Sequence, residues 1–147
     1  MNSGTRAQLS IEAYLLENGT LTYTNKGTSM MPLLREGKDL FTVRRKGDER
    51  CKVGDVVLYR RPPDQYVLHR VVRVLDGEYV ILGDNCTGLE HGITDDDIIG
   101  VMTGFTRSGR EYSVSSVGYR LYTFMMTHAI RLRIFMRKAL GWIMRRK

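Results

Sequence analysis

The chain has 147 residues, 42% hydrophobic and 27% charged, which suits one domain with a real core and excludes wholesale disorder. Its net charge of +7 is unevenly placed: residues 1–106 hold 13 Lys/Arg against 15 Asp/Glu, whereas residues 107–147 hold 10 Lys/Arg against one acid, Glu111. Two cysteines, Cys51 and Cys86, exclude a disulfide scaffold and are read as reduced, structural thiols.

Residues 6–17 place Leu9, Tyr14 and Leu15 at helical spacing and Asn18-Gly19 supplies a stop, so a short N-terminal helix is expected. From residue 20 to 106 the pattern is mostly β. Short apolar runs at Leu21–Asn25, Leu40–Arg45, Asp55–Arg60, Tyr66–Leu75, Tyr79–Leu82 and Ile98–Phe105 alternate with glycine- and aspartate-rich turns. Asp76-Gly77, between VVRVL and EYVIL, is a two-residue hairpin signal. A polar stretch, Thr106–Ser116, carries no expected element.

Val117–Met144 reads as one basic amphipathic helix. Arg120, Thr127, Arg131, Lys138 and Arg145 fall on one line, opposite Met125, Ala129, Leu132, Met136, Leu140 and Ile143, with Arg133 near the boundary. Residues 1–106 are thus a β domain with a short helix in front, and residues 107–147 a basic helical tail. The expected partner of residues 117–147 is an anionic membrane surface, the alternative being a helix packed on its own domain. Nucleic acid is not expected, because the β body does not interleave aromatic with basic residues as a stacking platform needs.

Arg6, Glu12 and Glu17 interrupt the first 20 residues, so no signal-peptide core is read there. No charge-free apolar run is long enough to span a bilayer. A cytoplasmic or membrane-peripheral location is expected.

Three stretches could do chemistry. In Gly27-Thr28-Ser29-Met30-Met31-Pro32 a serine follows a glycine-containing turn, which exposes its hydroxyl to a base. The backbone N–H groups of Ser29 and Met30 there would meet a developing oxyanion. In Val67-Leu68-His69-Arg70 a histidine sits in a β run, and imidazole is the side chain whose ordinary pKa lets it take a hydroxyl proton near neutrality. In Gly83-Asp84-Asn85, and further on at Glu90, stand acids that could orient such a base. Taken singly, a solvated turn serine, a packed strand histidine and a hairpin-closing aspartate would explain each of them. The histidines and cysteines lack metal-ligand spacing, no glycine loop would cradle phosphate, and Asp95–Asp97 reads as a turn, so neither metal nor cofactor is expected.

Taken together, the series resembles the signal peptidase I superfamily. Gly27-Thr28-Ser29-Met30-Met31-Pro32, Gly54-Asp55-Val56-Val57, Leu68-His69-Arg70-Val71 and Gly83-Asp84-Asn85 carry the resemblance, over roughly residues 21–104. It implies a single coiled β-sheet domain of LexA/signal peptidase type. His69 stands where many members have lysine, which resembles the Ser/His branch found in the endoplasmic reticulum and archaea. By resemblance Ser29 is the nucleophile and His69 the general base, with Asp84 ranked before Glu90 as the third member. The chain departs from the pattern at Gly37-Lys38-Asp39, where one residue is inserted, and at Gly27, where many relatives have an assisting serine. The implied activity is serine endopeptidase cleavage of signal or leader peptides from precursors. The alternative is a catalytically idle relative that binds peptides and is anchored at the membrane surface by its basic tail.

Overall fold

The computed structural model describes residues 3–63 and 65–146. In chain order these form helix α1 (Ser3–Asn18) and strands β1 (Thr20–Thr24), β2 (Leu40–Arg45), β3 (Val56–Arg61), β4 (Gln65–Val74), β5 (Tyr79–Leu82) and β6 (Glu90–Ile93). A 3-10 turn at Asp95–Asp97 leads to β7 (Ile98–Arg107) and β8 (Arg110–Ser113), then helices α2 (Val117–His128) and α3 (Ile130–Arg145). The domain is therefore mostly β: one antiparallel eight-stranded sheet that does not close, with three helices.

The strand order is β1-β2-β7-β3-β4-β5-β6, with β8 on β7. β7 is the spine. It pairs along its length with β2, and its other edge is shared between β3 at Ile98–Val101 and β8 at Gly104–Arg107. Register shifts at Thr42/Val43, Leu58/Tyr59 and Val71/Arg73 bend the strands and coil the sheet.

Because successive strand residues face opposite ways, a central strand with both faces covered is apolar throughout. Val56-Val57-Leu58-Tyr59 in β3 is such a run, and all four are buried. Val56 and Leu58 join Leu15, Met30, Leu34, Phe41 and Met102 on one face. Val57 and Tyr59 join Val71, Tyr79, Ile81 and Val101 on the other.

Of the expected helix residues at the front, Leu15 is buried in the first cluster, with Ile11 packed beside it, while Tyr14 faces solvent. The side chain of Leu9 lies outside the described residues. The Asp76-Gly77 hairpin joins β4 to β5, closed by the Leu75 N–H donating to the Glu78 carbonyl at 2.8 Å, with Gly77 at φ +76°.

Three features differ from expectation. β6 occupies Glu90–Ile93, where no strand was expected. β8 lies within the stretch read as structureless: Ser108 and Gly109, at φ +52° and +75°, make a tight turn that folds Arg110–Ser113 back onto β7. The sheet thus continues past residue 106. Finally, the tail is two helices, because Ala129 leaves the helical region at φ −103°, ψ 24°. The break lets Ile130 and Ile134 turn onto Val72, Val80 and Leu82, a contact α2 does not make. Among the described residues no helix is long and apolar enough to cross a membrane.

Candidate active site

Ser29 lies on the loop between β1 and β2. The loop has few regular hydrogen bonds, so buried polar groups hold it. Asn25, itself buried, donates from its side chain to the carbonyls of Gly27 and Leu34, and its N–H donates to the Asp39 carbonyl. Asp39 is fully buried and accepts from Arg35 and Arg107, which hold its carboxyl well below the usual carboxylate range. Arg107 also donates to the Pro32 and Leu33 carbonyls, at 2.9 and 2.8 Å, tying the loop to β7.

Within that loop, Ser29 and Met30 are the central residues of a turn closed by the Met31 N–H donating to the Thr28 carbonyl at 3.1 Å. Met30 anchors the turn in the core, and Ser29 is half-buried. Asn85 clips the turn from outside. Its N–H donates to the Ser29 carbonyl at 2.8 Å and its side-chain amide to the Thr28 carbonyl at 3.0 Å. Among the described residues, the N–H groups of Ser29 and Met30 make no hydrogen bond.

His69 comes from the middle of β4 and faces the same cleft as Ser29, of about 490 Å³, which Arg61, Cys86 and Glu90 also line. Gly83 marks how closely the pieces approach. A Cβ there would lie 2.8 Å from the Ser29 carbonyl oxygen, closer than real Cβ contacts come, and a tight 3.0 Å from His69 Nε2. Only glycine fits, so the glycine of Gly83-Asp84-Asn85 is needed for space, its φ being unexceptional.

The other ring nitrogen of His69, Nδ1, lies 3.2 Å from the Tyr59 hydroxyl and 3.6 Å from Glu90 Oε1. Glu90 is ion-paired with Arg61, which also donates to the Tyr59 hydroxyl at 3.2 Å. Burial pushes the His69 pKa down to about 4, with Arg61 acting in the same direction and Glu90 opposing. His69 is therefore neutral across the physiological range, below the near-neutral value a free imidazole has. Burial, with the Glu90 charge, raises the Tyr59 pKa, so Tyr59 keeps its proton.

Asp84, the acid ranked first from sequence, is elsewhere. It is buried and receives two parallel hydrogen bonds from Arg70, both 2.8 Å, plus one from the Tyr122 hydroxyl at 2.8 Å. Arg70 is fully buried. Burial works against its charge, but the Asp84 carboxylate outweighs it and raises the Arg70 pKa. Its remaining donors go to the Gly54 carbonyl at 2.8 Å, the Thr123 hydroxyl at 3.0 Å and the Tyr119 hydroxyl at 3.4 Å. So Ser29, His69 and Glu90 gather in one cleft, while Asp84 is committed to a separate polar cluster behind it.

Sequence reading gave no role to Tyr59 and Arg61 beside His69, or to Arg70, Tyr119, Tyr122 and Thr123 around Asp84. Arg70 carried a signal, since an arginine flanked by Val67, Leu68, Val71 and Val72 in a strand must find a buried acid. Cys51 and Cys86 are free thiols, and burial raises both pKa values. Compared with protein-family models and with curated proteins, the chain finds no match in either.

Proposed function

We propose that this chain is a serine endopeptidase of the signal peptidase I superfamily, with its coiled β-sheet of LexA/signal peptidase type, cutting signal or leader peptides from precursors. The observation that carries this reading is the meeting of Ser29, His69 and Glu90 in one cleft, from a loop and two strands. Ser29 is the nucleophile and His69 the general base. Glu90 is the orienting acid, and Asp84 serves the framework.

The chemistry follows from the two faces of the imidazole. A carboxylate beside Nδ1 favours the tautomer with its proton on Nδ1, which leaves the Nε2 lone pair on the side of Ser29. Nε2 takes the Ser29 Oγ proton as Oγ bonds to the scissile carbonyl carbon. The imidazolium so formed sits between Glu90 and the Tyr59 oxygen and returns the proton to the leaving amine as the C–N bond breaks. Water, activated by the same nitrogen, then hydrolyses the acyl-serine. The N–H groups of Ser29 and Met30 are the donors proposed for the oxyanion.

Substrate presentation has support in the edge strand β1, which runs into the cleft through Asn25 and Lys26. An extended peptide pairing along β1 would place a side chain in the neighbouring apolar hollow of about 240 Å³ lined by Leu21, Phe41, Leu58 and Leu68.

The deciding experiment is digestion of a panel of precursor and leader peptides, read by mass spectrometry. Wild type should cut at defined bonds. Ser29→Ala and His69→Ala should each lower the rate by about 10⁴-fold or more while leaving the fold intact. Cutting that survives Ser29→Ala, or no cutting of any precursor, would sink the assignment.

A further inference from the structure

Helices α2 and α3 each use one face against the body, and the contacts are specific. Tyr122 and Thr123 of α2 hydrogen-bond to Asp84 and Arg70. Ile130 and Ile134 of α3 pack on Val72, Val80 and Leu82, while Arg133 donates to the Asp84 carbonyl and Arg137 to the Asn85 side chain. A helix satisfied in this way should be polar on its far side.

The far side is apolar. Leu121 and Met125 on α2, and Leu132, Phe135 and Ile143 on α3, are 52–68% exposed, and none of them packs on the body's apolar clusters. Of the apolar residues on the expected wheel, Leu132 and Ile143 lie on this outer face. Trp142 lies on the same side, half exposed, with the Arg146 guanidinium 3.9 Å from its ring centre. Arg131, Lys138 and Arg145 follow one another at sevenfold spacing and so line one edge of the outer face of α3.

We propose that the outer face of α2–α3 docks on an anionic lipid surface, with the apolar side chains among the acyl chains and Arg131, Lys138 and Arg145 at the phosphates. Charge selects this occupant. Residues 117–146 contain seven Lys/Arg and no Asp or Glu. A second copy laid on the same face would bring like charges together around an apolar patch. A nucleic acid would match the charges but leave Leu132, Phe135 and Ile143 facing phosphate and water. An anionic bilayer answers both features, and an aromatic flanked by arginine is suited to its headgroup level. The inference stands independently of peptidase activity, since none of these residues lines the Ser29 cleft.

The full chain should be floated with vesicles of phosphatidylcholine alone and with vesicles of equal parts phosphatidylcholine and phosphatidylglycerol. Binding is expected to the mixed vesicles, weakening as salt is raised. Replacing Arg131, Lys138 and Arg145 together by Gln should weaken it about a hundredfold. Leu132→Ser with Phe135→Ser should abolish it, with the thermal midpoint kept because both side chains are already in water. Ser29→Ala should bind as wild type. Absence of binding to mixed vesicles would overturn the proposal. So would tighter binding to a DNA duplex, or a lipid-free dimer that Leu132→Ser with Phe135→Ser converts to monomer.

Discussion

His69 and Arg70 are neighbours on β4 and face opposite sides of the sheet, and each meets a carboxylate supplied from beyond β5. On Arg70's side everything is closed. Arg70 and Asp84 are nearly inaccessible, each guanidinium nitrogen has a hydrogen-bond partner, and the pair is roofed by Tyr119, Tyr122 and Thr123. On His69's side the cleft is open, Glu90 is partly solvated, and it approaches Nδ1 at 3.6 Å without a tight hydrogen bond. A buried, fully bonded ion pair is a fixed structural element. A carboxylate that keeps some water and shares itself between arginine and imidazole can respond to a change of charge on the ring. One residue of strand register thus separates the acid beside the proposed general base from the acid that belongs to the framework.

That contrast is broken most severely by Asp84→Ala. It leaves the Arg70 charge buried and unpaired, so a loss of about 3–5 kcal/mol is expected in chemical denaturation. If peptide cleavage falls in Asp84→Ala while stability holds, the assignment of Asp84 to the framework fails.

Glu90→Gln sharpens the contrast from the other side. Stability should change by no more than about 1 kcal/mol, as for a partly exposed ion pair, while kcat/KM falls by about 10²-fold from a less favoured tautomer and a weaker imidazolium partner. Its signature is in pH. The wild-type acid limb of kcat/KM should lie near the His69 value of about 4. Removing the charge that raises that value should move the limb lower. His69 is depressed in the fold, so its contribution to stability is complete above the unfolded value of about 6.5. That contribution is lost as pH falls through about 4, a slope that His69→Gln should remove from the denaturation profile.

The smallest change is expected from Tyr122→Phe, which removes one of three hydrogen bonds to Asp84 and should cost about 1 kcal/mol in thermal unfolding. Catalysis should be unaffected.

Much of the sheet was legible because its strands carry their own signals: the four-residue apolar run in β3 and the Asp76-Gly77 turn between two alternating segments. β6 and β8 were not. Glu90-His91-Gly92-Ile93 has one buried residue, and Arg110–Ser113 is exposed throughout, so both are held by backbone pairing, which leaves no side-chain pattern. The helix break at Ala129 involves neither glycine nor proline, and the packing of Ile130 and Ile134 decides it. In the site, Ser29 and His69 were readable as residue types in exposed or strand contexts. The choice between Asp84 and Glu90 was not, because both follow β5 in polar segments. What separates them is which face of β4 each reaches, and that depends on Arg70 claiming the nearer acid.

The roof over Arg70 has a consequence for how small this protein can be. Tyr119, Tyr122 and Thr123 all belong to α2, and Thr123 also fills the space beside Gly54, where a Cβ would come within 2.8 Å of its methyl group. A chain ending at Ser116 would keep every strand, yet it would admit water to the guanidinium–carboxylate pair and unseat the neighbours of Asn85, which grips the Ser29 turn. In that sense α2 is the cover of the domain's buried ion pair. The roof over Arg70 and Asp84 is thus built by α2, and Asp84 is the chain neighbour of Asn85, which grips the turn carrying Ser29.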